Sequence, residues 1–305
     1  MISERNENMH KTVIIACSNG RSQDDQIVLK CLKLTLSRME IQADVLDGVY
    51  ERAGEDPILR GAENAGRLMS TFKNDSYEYI FDVSGGDLTN TILPFLDFPQ
   101  IKKSSAVFWG YSDLTVLINT LYSMTNKISV LYQPRHAAAG APKYITDRFC
   151  SFLQNAQQHL TRSVTLHSGR KSDVPELLSL SGSFISGHSM EGILVGGNLR
   201  CFLKLAGTPY FPDMNGKILL IESLGGGVQR IASYLMQLYE MGVFEQISGI
   251  VLGTFTEMQR SASRPTPSEL ILSLTNGRLP VFVTPDIGHA KDAKAALIGC
   301  HYSIS

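Results

Sequence analysis

Three side chains far apart in the chain carry a hydroxyl, an imidazole and a carboxylate in settings where each could do chemistry. Ser112 lies in FWGYSDLTVL, directly before Asp113, where Leu114, Leu117, Ile118 and Leu121 begin to recur at helical spacing. Two roles are open for it. Serine or aspartate in the first turn of a helix is the ordinary N-cap. A strand-turn-helix junction, however, also lifts a side chain above the sheet edge into the helix's positive field, with free backbone N–H groups around it. In that role Ser112 is a nucleophile toward a carbonyl. The run from Gly110 to Leu114 approaches G-x-S-x-G but lacks the second glycine, so it does not fit the α/β-hydrolase elbow as such.

A serine that attacks a carbonyl needs donors for the oxyanion, an orientable base and a group that steadies the base. The glycine pair Gly85-Gly86 in SGGD follows the apolar strand YEYIFDV, and its backbone N–H groups could supply the donors; an αL turn is the plainer reading. His289 in VFVTPDIGHA follows an apolar strand and a glycine, a strand-end context that the other six histidines lack. Glu222 closes KILLIE, and a carboxylate there is costly if buried alone, so it needs a partner: the imidazole or an arginine such as Arg230. LGGGVQR lacks the lysine and hydroxyl of a P-loop and the spacing of a dinucleotide fingerprint, so a nucleotide is not expected on it. No histidine pair or Cys-His cluster has zinc spacing, and no metal or other cofactor is expected.

Positioning these groups requires alternating strands and helices. TVIIAC, QADVL, YEYIFDV and SAVFWG read as strands, separated by helical segments such as QIVLKCLKLTLSRM, AENAGRLMSTFKN and the short TNTILPFL. That order predicts a mostly parallel sheet with ligands beyond the carboxyl ends of its strands. Residues 161–189 are serine-rich and weakly periodic, and read as a linker. GILVGG, KILLIE, ISGIVLGTF and PVFVT then alternate with NLRCFLKLAG and VQRIASYLMQLYEMG. The expectation is two α/β domains: residues 11–160, with a mostly parallel sheet flanked by helices and the Ser112 elbow, and a smaller one at 190–305 carrying Glu222 and His289.

The bulk properties exclude several classes. The 305 residues hold 28 basic and 29 acidic side chains, scattered, so no basic stripe suggests a nucleic-acid polymer. Five widely spaced cysteines without a C-x-x-C pair read as reduced thiols. The polar start MISERNENMHK is no secretory signal, and no apolar run approaches the roughly 18 residues of a membrane span. A cytoplasmic protein with no membrane partner is expected.

Taken together, IIACSNG, GAENAGRLM, SGGD with ILPFLD, GYSDLTVL, GGNLRCFLKLAGTPYFPDMNGKILLIES, GVFEQISGIVLGTF and PVFVTPDIGHA resemble the LD-carboxypeptidase family of serine peptidases, which also holds the microcin self-immunity peptidases. The resemblance spans nearly the whole chain. It implies Ser112 as nucleophile, His289 as base, Glu222 as the orienting acid, and oxyanion donors in the amides of Gly86 or its neighbour Gly85 and of Asp113. It further implies an active site between two α/β domains, a homodimer and no cofactor. The implied reaction is cleavage of an L,D amide near the C-terminus of murein peptides. The second family option is the amide joining a peptide or acidic amino acid to a nucleotide-like group, which an aromatic platform would favour; the single Trp109 reads as core. YQPRH stands where the family often has His-Gly-Pro, DVSGGD replaces a more usual arginine-glycine-glycine-tyrosine pattern, and the sixteen residues after His289 predict a trimmed final strand. A two-domain binding protein without catalysis shares the same fold class.

Overall fold

The computed structural model describes residues 11–137, 141–156, 160, 163–168 and 174–305. In the first domain β1 (Lys11–Ile15), β2 (Gln42–Val45), β3 (Tyr79–Asp82), β4 (Val107–Gly110) and β5 (Ser129–Leu131) run parallel in the order β5-β4-β3-β1-β2. The helices α1 (Gln26–Ser37), α2 (Pro57–Lys73), α3 (Phe98–Lys103), α4 (Thr115–Thr125) and α5 (Lys143–Gln154) connect or flank the strands. Local chemistry sets their ends. Asp56 caps α2 by accepting from the Ile58 amide at 2.8 Å, and Pro57 sits where no N–H is needed. The strand order reverses between β1 and β3, so the turns that leave these two strands face each other across the crevice where such sheets bind ligands.

The second domain is built on a seven-stranded sheet. β8 (Met190–Asn198), β9 (Lys217–Ser223), β10 (Gly249–Phe255) and β11 (Val281–Val283) are parallel neighbours, with α6 (Leu199–Leu203), α7 (Val228–Glu240), α8 (Val243–Gln246), α9 (Thr256–Arg260) and α10 (Pro267–Thr275) between or beside them. β9 shows why the four central residues of KILLIES are all apolar: Ile218 and Leu220 join the core shared with the first domain, while Leu219 and Ile221 join a second core on the opposite face. Both faces of a central parallel strand are covered, so the usual polar alternation is lost.

Residues 161–189, expected as a linker, supply two edge strands, β6 (Ser163–Leu166) and β7 (Ser183–Ser186). Residues 161, 162 and 169–173 of that stretch, including its Gly-Arg-Lys turn, lie outside the described residues. The chain end is not trimmed of strand either. β12 (Ala296–Ile298) pairs antiparallel with β5 in the first sheet, and β13 (His301–Ile304) pairs with β6 and β8 in the second. Short edge strands with half their residues exposed leave a weak pattern, which is why serine-rich sequence hid them. No helix among the described residues is long and apolar enough to cross a membrane.

Candidate active site

Ser112 follows β4 after one residue and opens a short 3-10 turn, Ser112–Leu114, that leads into α4. Its φ is +58°, a left-handed conformation costly for a residue with a Cβ and found where the surroundings hold a side chain in a set direction. It is not a cap: neither the turn nor α4 has a side-chain cap hydrogen bond. Its Oγ lies 3.3 Å from Nε2 of His289. The loop carrying His289 packs on a register shift in β10, where the Thr254 amide donates to the Ile287 carbonyl at 2.8 Å. Bulges next to a site commonly re-aim a loop in this way.

Glu222, the last residue but one of β9, is fully buried, in register with Asn198 at the end of β8. Its Oε2 lies 2.8 Å from Nδ1 of His289, and its Oε1 accepts from Asn198 Nδ2 at 3.0 Å. A carboxylate only accepts, so Nδ1 carries the proton and Nε2 presents its lone pair to the serine hydroxyl. The buried charge is thereby met on both oxygens, as burial demands. Arg230 lies exposed and is not the partner. The Tyr111 ring packs edge-on against the imidazole at 5.1 Å between centroids; burial first, and then the Glu222 charge, pushes its phenol well above the usual range and keeps it neutral.

The SGGD loop leaves β3 beside this row. Asp82 accepts from the Ser84 amide at 2.8 Å and from the Cys17 amide at 2.7 Å, tying the turns after β3 and β1 together. Gly86 has φ +132°, and a Cβ there would sit 2.2 Å from Asn19 Oδ1, so only glycine fits. At Gly85 a Cβ would meet nothing within 4 Å, so that side of the loop is open. Among the described residues, no protein acceptor takes the N–H of Gly86 or of Asp113. The Asp113 carboxylate is turned inward instead, accepting from Ser18 Oγ at 2.7 Å, from the Thr89 amide at 2.9 Å and hydroxyl at 2.7 Å, and from Lys204 Nζ at 2.6 Å. Tyr111, Tyr132, Gln133, His136, Gly288 and Lys294 line a shallow depression beside the imidazole. Burial, then the charges of Arg135, His289 and Lys291, lower the His136 pKa to about 4.

The expected residues Ser112, His289 and Glu222 thus meet, with Gly85, Gly86 and Asp113 on the turns of neighbouring strands. Two family models match: the LD-carboxypeptidase N-terminal domain over residues 13–133 and the LD-carboxypeptidase C-terminal domain over residues 191–304. The chain belongs to the LD-carboxypeptidase family. Its members are serine peptidases, and this LD-carboxypeptidase homologue is itself a serine carboxypeptidase by family. A putative carboxypeptidase of Synechocystis is 33% identical, over 79% of this chain and 74% of its own. A microcin self-immunity protein of Escherichia coli is 24% identical over 79% and 75%, and a probable murein peptide carboxypeptidase of Bacillus subtilis 27% identical over 81% and 73%. The self-immunity protein's structure with glutamyl sulfamoyl guanosine superposes at a TM-score of 0.78 with 20% identity, over 96% of this chain and 92% of that one. A muramoyltetrapeptide carboxypeptidase from Oxalobacter formigenes superposes at 0.73 with 22% identity, over 95% and 94%. These likenesses establish the fold.

Asn198, Tyr111, His136 and Lys204 also contact the site, although none stands out in the sequence as a site residue. Asn198 carried a signal, since asparagine before a helical run is an N-cap, and its side chain does accept from the Cys201 amide. The others are marked by contacts made across the fold. LGGGVQR is no phosphate cradle: Glu257 accepts from the Gly226 amide at 2.6 Å, and its carboxylate repels an anion there. Among the described residues no cluster of three His, Cys, Asp or Glu side chains has the arrangement of a metal site.

Proposed function

We propose that Ser112, His289 and Glu222 act as a triad that hydrolyses an L,D amide near the C-terminus of murein peptides. The observation that carries the reading is the unbroken row from Ser112 Oγ through His289 to Glu222, with contacts of 3.3 and 2.8 Å. His289, neutral and oriented by Glu222, takes the Ser112 proton as the hydroxyl oxygen attacks the carbonyl. The amides of Gly86 and Asp113 hold the resulting oxyanion, with Gly85 leaving room for the substrate. Collapse of the tetrahedral intermediate breaks the C–N bond, and the imidazolium gives its proton to the leaving amine. Water, deprotonated by the same imidazole, then releases the acyl group from Ser112.

The murein reading is favoured over a nucleotide-bearing amide by the position of the single tryptophan. Trp109 is fully buried, edge-on to Phe81 at 5.2 Å and to Phe152 at 5.5 Å, so it offers no platform for a base. The test compares release of D-alanine from a murein tetrapeptide with cleavage of aspartyl sulfamoyl adenosine, a ligand of the self-immunity relative. Preference for the tetrapeptide is expected; preference for the adenosine compound overturns the substrate assignment. Ser112→Ala should lower turnover at least about a hundredfold, and undiminished turnover removes the triad. A homodimer working in the cytoplasm is part of the same proposal, read by sedimentation equilibrium and by cell fractionation.

A further inference from the structure

One short helix of the second domain, α6 with its flanking residues Asn198 and Lys204, touches Glu222, the glycine-pair loop and Asp113. At its start, Asn198 donates to Glu222 Oε1 at 3.0 Å. Two residues on, Arg200 is paired with Asp87 and donates to the Gly86 carbonyl at 3.1 Å. At its end, Lys204 Nζ donates to the Asp87 carbonyl at 2.8 Å and to Asp113 Oδ1 at 2.6 Å. The Arg200–Asp87 pair is exposed and contributes little by itself. The Lys204–Asp113 pair differs, because the Asp113 side chain has no exposure and that of Lys204 only 19%.

Resting on the triad reading above, the geometry points to Lys204 as a positioning residue that sets the oxyanion donors from across the domain interface. Asp113 and Gly86 contribute backbone N–H groups, and a backbone amide is aimed only as well as its peptide is held. Lys204 holds the Asp113 side chain and the Asp87 carbonyl with one ammonium, so the two donor segments are fixed relative to each other. Ser18 and Thr89 complete the shell around Asp113 but belong to the first domain, as Asp113 does, and cannot register one domain on the other. Lys204 therefore makes the quality of the oxyanion site depend on the seating of the second domain. A donor displaced by a fraction of an ångström weakens a bond formed only in the transition state, which lowers kcat and spares ground-state binding.

The test uses the full chain and four variants, Lys204→Met, Lys204→Arg, the pair Asp113→Asn with Lys204→Met, and Ser112→Ala. With murein tetrapeptide, Lys204→Met should lower kcat ten- to a hundredfold with KM changed less than about threefold. Lys204→Arg should recover part of the loss, since a guanidinium can still pair with Asp113. The double variant should be no worse than Lys204→Met, because the lysine acts through that carboxylate. A rise in KM at constant kcat makes Lys204 a substrate ligand and overturns the proposal, as does kcat within twofold of the parent. Loss of activity in proportion to loss of folded protein in both Lys204 variants overturns it too. Should the tetrapeptide not be turned over at all, the substrate assignment falls separately. The lysine is then judged by the rate at which a fluorophosphonate labels Ser112, which should drop at least tenfold in Lys204→Met with Ser112→Ala unlabelled.

Discussion

At the scale of single residues, the site is governed by which groups burial keeps neutral and which it allows to pair. Glu222 stays useful because Asn198 and His289 meet both its oxygens. His136 and Asp82 are handled differently, and the difference is measurable. The His136 pKa falls to about 4 in the folded chain against roughly 6.5 unfolded, so its contribution to stability is present above pH 6.5 and lost as the pH falls toward 4. Burial raises Asp82 to about 6 against roughly 3.9 unfolded, with hydrogen bonds from Ser84 and Cys17 pulling the other way. Its contribution is present below about pH 4 and lost as the pH rises through 6. Each effect is on the order of 3 kcal/mol and the two slopes oppose, so stability should vary little between pH 4.5 and 6.5. His136→Gln should tip the balance so that stability rises toward acid, and Asp82→Asn should tip it the other way. Urea midpoints across that range check both, and parallel profiles for the two variants would refute the assignment. Loss of an Asp82 hydrogen bond adds a constant offset and leaves the slope to decide.

At the scale of elements, the site depends on close approach between α4 and β8. Asn119 of α4 donates to the Gly196 carbonyl at 2.9 Å and accepts from its amide at 2.8 Å, while Thr115 Oγ1 accepts from the Asn198 amide at 3.0 Å. Gly197 makes this possible: its φ is +134°, and a Cβ would stand 2.7 Å from Thr115 Oγ1. Gly197→Ala should cost roughly 1–3 kcal/mol by overpacking and push α4 from β8. Because α4 begins at the Ser112 turn and Asn198 steadies Glu222, kcat should fall more than the folded fraction does. Denaturant midpoints set beside turnover test this. A variant of lower stability but full turnover per folded molecule would show that the elbow tolerates the shift.

At the scale of the whole molecule, the two sheets are joined by more than a crossing segment. β12 lies in the first sheet and β13 in the second, with only Gly299 and Cys300 between them. One continuous core runs from Val13 and Phe108 of the first domain to Leu194, Leu220 and Tyr302 of the second. Unfolding should therefore be a single transition. Trp109 fluorescence, which reports the first domain alone, should follow the same denaturant curve as far-UV circular dichroism; two separated curves would mean that the domains unfold independently. Leu297→Ala, fully buried in β12, should cost about 2–5 kcal/mol and shift both signals together.

The alternation of strands and helices, the two-domain architecture and the residue types of the site were legible in the chain, because periodicity and turn chemistry act locally and leave their mark on composition. The family was legible for the same reason, since GYSD, GGN and KILLIE are contiguous. The resolution of Ser112 as something other than a cap was not, because a positive φ and an imidazole 3.3 Å away are properties of the fold. Nor were the edge strands of residues 161–189, whose partners, β13 for β6 and β11 for β7, lie far along the chain and half of whose residues are exposed. Glu222 had two candidate partners in sequence, and only the strand register that sets it beside Asn198 and under His289 chose between them. Contacts between distant segments are paid for by tertiary packing, so a side chain whose role is to meet another domain, as Lys204 meets Asp113, carries no local sign of it.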